Sequence, residues 1–180
     1  MTQPHGTTPS SPPTLVRLLF DAFDEFERVA EALADLDPGG APAAGADRLN
    51  AGGWIVSHVA KQQDHYWNAA LQGLERDRWL EEQRVDFGDA PSTPDLAAAI
   101  EAFRRVRSRA IPWLRRLDAS RLHEVVSRSR GLRREQRVSD LLSRSIAHLF
   151  AHAGELSAIA SLAGAPDLGV PGRMTHSTRG

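Results

Sequence analysis

Apolar residues recur at three- and four-residue spacing along four long stretches of this chain, and that period constrains its fold more than any other feature. From Thr14, the residues Leu15, Leu18, Leu19, Ala22, Phe26, Val29, Leu33 and Leu36 keep to one helical face. Pro12 and Pro13 stand at the start, where a missing N–H costs nothing, and Asp37-Pro38-Gly39-Gly40 is a stop. A second stretch follows Asn50, a candidate N-cap, and places Trp54, Ile55, His58, Gln62, His65, Tyr66 and Ala69 together. A third follows Thr93-Pro94-Asp95, read as an N-cap with proline at the first helical position. It turns Leu96, Ile100, Phe103, Val106, Ala110, Trp113, Leu114 and Leu117 inward, and Pro112 should kink it. The fourth starts near Ser139 and stops at Gly164, with Val138, Leu142, Leu149, Leu156 and Ile159 as its inward stripe.

No stretch alternates as a half-buried strand does. The expected class is therefore all-α, a four-helix bundle with helices over 13–36, 50–73, 94–117 and 139–163. The bundle domain spans residues 13–164. A disordered N-terminal tail, 1–12, precedes it and an irregular C-terminal tail, 165–180, follows. The connection over 73–93 holds a short helix near Arg76–Gln83, and the one over 118–137 is a loop or short hairpin.

At 180 residues such a domain buries roughly two-thirds of its unfolded surface and needs no staple. No cysteine is present, which removes disulfides, thiolate metal sites and thiol nucleophiles together. A metal would need His, Asp or Glu, and a reactive thiol would come from another molecule. No apolar run nears the ~20 residues of a membrane span, and the N-terminus lacks the basic start and apolar core of a secretory signal. A cytoplasmic protein without membrane contact is expected. Charge divides along the chain. Residues 1–95 carry 7 basic and 16 acidic side chains, and residues 96–180 carry 15 and 7. Mutual attraction of the halves within one bundle explains this more simply than an anion-binding surface.

Three histidines sit where a core would hold leucine. His148 and His152, four residues apart, bring their imidazoles onto one helical face with Cα atoms about 6 Å apart. Two histidines so spaced can share a metal ion. Glu155, three residues on, can orient an imidazole, and Ser145 is small where a Leu is expected, which leaves room. On the second helix His58 lies mid-face and is the better third ligand. His65 is seven residues away, ~10.5 Å of helix, too far to reach the same ion. A core histidine held by hydrogen bonds is the plainer account of each residue alone. Three imidazoles with one open position describe a catalytic zinc site.

The segments Trp54-Ile-Val-Ser-His58-Val-Ala and Val138-Ser-Asp-Leu-Leu-Ser-Arg-Ser-Ile-Ala-His148-Leu-Phe-Ala-His152-Ala-Gly-Glu155-Leu resemble the DinB/YfiT-like superfamily over residues 14–164. The resemblance implies a four-helix bundle in which His58, His148 and His152 hold a divalent metal. Zinc is the first expectation, and nickel, iron and manganese are also accepted. It further implies a low-molecular-weight thiol as co-substrate, as in the thiol-dependent S-transferases and the mycothiol-dependent maleylpyruvate isomerase. Many relatives carry an acidic residue one turn after the helix 2 histidine. Here Gln62 stands there, and Asp64 falls on another face. Glu155 and Gln62 are the candidate catalytic side chains, and Trp54 and Ser145 are expected beside the co-substrate.

The expected function is metal-dependent transfer or addition of a small thiol to an electrophilic small molecule. Two rivals stand beside it: metal-assisted hydrolysis by bound water, and a non-catalytic bundle that binds a ligand or forms a homodimer. Trp54, Trp67, Trp79 and Trp113 read as core or pocket wall. The Arg-rich run Ser127–Arg137 lacks interleaved aromatics, so nucleic acid is not an expected partner, although some of its arginines could meet a ligand's carboxylate. Asp140 is a candidate for charge at the site mouth. His123 and His176 read as exposed.

Overall fold

In the computed structural model of the chain, the structure describes residues 12–36, 50–90 and 92–171. The N-terminal tail up to residue 11, the Asp37–Gly40 stop with its following loop, and His176 lie outside the described residues. Four long helices dominate: α1 (Thr14–Leu36), α2 (Gly52–Gln63), α4 (Leu96–Leu114) and α5 (Val138–Leu162). A single-turn helix, α3 (Arg78–Glu82), interrupts the connection after α2. Two-residue strands, β1 (Val125–Val126) and β2 (Gln136–Arg137), form a small antiparallel hairpin before α5, with Val125 opposite Arg137. The fold is the all-α bundle that the periodicity predicts. Among the described residues, no helix is long and apolar enough to cross a membrane.

Helix α1 packs chiefly on α5, and α2 on α4. The core face of α1 is Val16, Leu19, Phe23, Phe26, Val29 and Leu33, with Leu15 only partly buried. Phe23 and Phe26 meet Phe103 of α4 at ring-centroid distances of 5.9 and 5.0 Å. On α5 the stripe Val138, Leu142, Leu149, Leu156 and Ile159 is buried throughout.

The charged halves of the sequence meet between α1 and α4. Glu27 accepts from Arg104 at 2.8 Å and from Arg107 at 2.6 Å. Asp24 also pairs with Arg107, and Glu31 and Glu101 pair with Arg104.

Several helix ends differ from the sequence expectation. Asn50 does not cap α2. The N-cap is Ala51, without a side-chain bond, because the start is set by packing instead. A Cβ on Gly53 would lie 1.9 Å from the Pro94 carbonyl oxygen, so only glycine lets α2 run this close to the chain entering α4. Thr93 and Pro94 precede α4 rather than start it. Asp95 is the cap, its carboxylate accepting from the Ala98 N–H at 2.7 Å. Pro112 lies in the last turn of α4, and the helix runs through it to Leu114.

The second helix is also less regular than its period suggests. Beyond Gln63 it widens into a π-helix, Asp64–Ala70. Polar groups buried there bind across the bundle. Asp64 accepts from Asn68 Nδ2 and from the Asp77 N–H, each at 2.7 Å, and Asn68 donates to the Val106 carbonyl at 3.2 Å.

Candidate metal centre

Helices α2 and α5 bring His58, His148 and His152 together. One ligand atom from each lies within 4.8 Å of the others, and among the described residues this is the one cluster of three or more such groups able to hold an ion. The His58 ring centroid is 5.1 Å from that of His148 and 5.4 Å from that of His152. The last two are 4.5 Å apart and nearly perpendicular.

The outer nitrogens fix which inner ones are presented. His58 Nδ1 lies 2.7 Å from the Val85 carbonyl oxygen. A carbonyl only accepts, so Nδ1 carries the proton and Nε2 keeps its lone pair. His152 Nδ1 lies 2.8 Å from Glu155 Oε2, which assigns its tautomer the same way. His152 Nε2 then faces His148 Nε2 at 3.1 Å. Two nitrogens so placed need a shared proton or a shared cation. Tetrahedral zinc with Zn–N bonds of about 2.0–2.1 Å spaces its nitrogens about 3.3 Å apart, so the donors present suit such an ion.

Burial favours neutral, metal-ready imidazoles. His148 is pushed down to about 3, by desolvation first and then by the neighbouring His152 and His58. Desolvation lowers His58 as well, against the opposing bond to Val85. His148 Nδ1 is buried without a hydrogen-bond partner among the described residues.

The other residues singled out in the sequence are distributed unevenly. Glu155 reaches the centre through His152. Trp54 stacks on His58 with centroids 4.9 Å apart and planes 7° from parallel, a specific contact beyond the wall role read from sequence. Gln62 is half-buried and lines the open space beside His58. Ser145 is fully buried, its hydroxyl without a partner among the described residues. Asp140 bonds the Arg137 N–H at 3.3 Å and so caps α5 rather than charging the mouth. His65 stays outside the triad and lines the adjoining space. Gly131, at φ 86°, comes so near that an added Cβ would lie 3.2 Å from His65 Cε1. Trp67 is fully buried, Trp113 nearly so, and His123 is exposed.

Sequence reasoning missed the segment after α3. Lys61 on α2 grips it through the Gln83 carbonyl at 3.2 Å and Asp86 at 2.8 Å, with Val85 buried between them. This strap supplies the carbonyl that orients His58. Its one signal in the sequence is a lone apolar Val85 among Gln83, Arg84 and Asp86.

A helical bundle with three converging imidazoles, each on a long helix, is a class able to hold a metal ion. The model of the DinB superfamily matches residues 19–156, and the chain belongs to that superfamily. No curated protein and no solved structure gives a significant match.

Proposed function

We propose that this chain is a metal-dependent enzyme in which His58, His148 and His152 hold one divalent ion, and that it transfers or adds a small thiol to an electrophile. The observation that carries this reading is the convergence of three imidazoles, two of which, His58 and His152, have their outer nitrogens tied down by Val85 and Glu155. Three nitrogen donors and an accessible fourth position suit zinc best. Bound there, the ion would supply Lewis acidity and lower the pKa of a thiol or water that joins it.

The chain's own side chains set the surroundings. Neutral donors leave the cation's charge uncompensated, which favours an anionic partner, and a thiolate is the softest that biology offers. No cysteine competes for the position, so the thiol is a separate small molecule, as a cytoplasmic setting provides. Trp54 walls one side of His58. Gln62 offers an amide, donor and acceptor, to a substrate in the open space beside it. Glu155 holds the His152 Nδ1 proton and can buffer charge as the ligand changes.

The test is proton release. A free thiol near pKa 8.5 is mostly protonated at pH 7, so a metal-loaded sample mixed with a small thiol should release close to one proton per site, and metal-free protein none. Loaded protein that releases no proton with any physiological thiol but hydrolyses an ester or amide would replace this reading with metal-assisted hydrolysis.

A further inference from the structure

Beyond the triad, α2 and α5 continue side by side, and their next residues form a second cluster. Arg144 lies one turn before His148 on α5, and Tyr66 about two turns after His58, in the π-helical continuation of α2. Arg144 Nη1 is within 3.5 Å of the Tyr66 hydroxyl. Arg133, from the β1–β2 connection, also lines the space here. Two adjoining spaces of about 330 and 390 Å3 share Tyr66, His65, Arg133 and Arg144 as lining, and the first reaches His58.

The charge pattern here is unlike the rest of the molecule. Arg28, Arg104, Arg107, Arg109 and Arg121 are half-buried, and each has a carboxylate within 4.0 Å. Arg144 is also half-buried, yet it has no carboxylate partner among the described residues, and neither does Arg133. Gln136 lines the same space at 7% exposure, and its Oε1 has no hydrogen-bond partner. The two ends of an amide exchange by a simple flip, so this group can equally present N–H. The half-buried Arg144 guanidinium and the Tyr66 hydroxyl line this space with no carboxylate in contact among the described residues, and the one carboxylate in its lining, Asp86, is paired with Lys61.

We infer that Arg144, Arg133 and Tyr66 form a carboxylate-binding subsite, and that the ligand serving the histidine centre carries a carboxylate at one end and its reacting sulfur at the other. This deepens the thiol reading above and rests on it for the identity of the reacting end. Arg144 and His148 are about 6 Å apart along the helix, so a short thiol acid spans the two positions. A guanidinium fork binds a carboxylate through charge-assisted hydrogen bonds, with geometric selectivity over a neutral group.

The full chain is examined with 3-mercaptopropionate and the uncharged 2-mercaptoethanol. In the zinc-free protein, amide and side-chain NMR shifts of Tyr66, Arg133 and Arg144 should saturate with the acid and stay still with the alcohol. In the cobalt-loaded protein, the visible absorption change should need about tenfold less of the acid than of the alcohol. Arg144→Gln should abolish both differences and leave the response to 2-mercaptoethanol unchanged. The exposed Arg133→Gln, which cannot disturb the core, should weaken the acid preference in the same direction. Absence of saturable shifts with the acid in zinc-free protein, or an acid preference intact in both variants, overturns the subsite. If the shifts appear and depend on Arg144 but no thiol alters the cobalt spectrum, the subsite stands and the thiol reading falls.

Discussion

The α1–α4 seam holds Arg104 and Arg107 half-buried and the basin beside the histidines holds Arg144 half-buried, but only the seam puts carboxylates in contact with its arginines. At the seam, Arg104 and Arg107 share Glu27 and each has further carboxylates within reach. At the basin, Arg144 meets a phenol, and Arg133 meets no acid among the described residues. The same side chain therefore serves two ends. Where the fold supplies the anion, arginine joins helices. Where it does not, arginine stands ready for an anion from outside.

The core sets the scale for this contrast. Leu149 is fully buried one residue beyond His148, and Leu149→Ala should cost about 2–5 kcal/mol in urea unfolding. His152→Ala, on the same helix but with its side chain 18% exposed at the site, should leave the far-UV circular dichroism and the unfolding midpoint of metal-free protein nearly unchanged. An unfolded His152→Ala chain would make that residue part of the packing and erase the distinction between frame and site.

Acid should weaken the fold at the site. The neutral state of His148 is favoured down to about 3 in the folded chain, against 6.5 when unfolded. The unfolded chain thus takes up the proton first as pH falls. The stability contributed by neutral His148 is complete above about pH 6.5 and is lost progressively from there toward pH 3. The urea midpoint of metal-free protein should fall over that window, and His148→Gln should flatten the fall. An identical pH profile in the variant would assign the loss to other groups.

The seam should give a smaller effect. Glu27→Gln, which weakens two arginine contacts at once, should cost about 1 kcal/mol and less in high salt. Smallest of all, Arg144→Gln should change stability by no more than about 0.5 kcal/mol. A loss from Arg144→Gln equal to that from Glu27→Gln would give both arginines structural roles and break the comparison.

The long helices were legible because burial imposes the 3.6-residue period on every face that meets the core, as in Val138, Leu142, Leu149 and Leu156. The α5 histidine pair was legible for the same reason, since four residues on a helix fix a direction. The ends were harder. Asn50 and Thr93 have the chemistry of caps, but Gly53 packing against Pro94 and the Asp95 carboxylate set the two starts. The π-helical turn was hidden because its cause, buried Asp64 and Asn68 bonding to Asp77 and Val106, spans distant segments. The Val85 carbonyl was hidden in principle. A backbone oxygen is present at every residue, and only the strap's path selects this one.

The account stands on one ion held by three histidines. Its most direct measurement is the metal content of the purified full-length chain, before and after zinc titration, for wild type and for His58→Ala, His148→Ala and His152→Ala. The account predicts one zinc per chain in the wild type and a loss of at least tenfold in affinity in each variant, with helical content intact. A wild-type chain that takes up no divalent metal, or variants that bind it as tightly as the wild type, would contradict it.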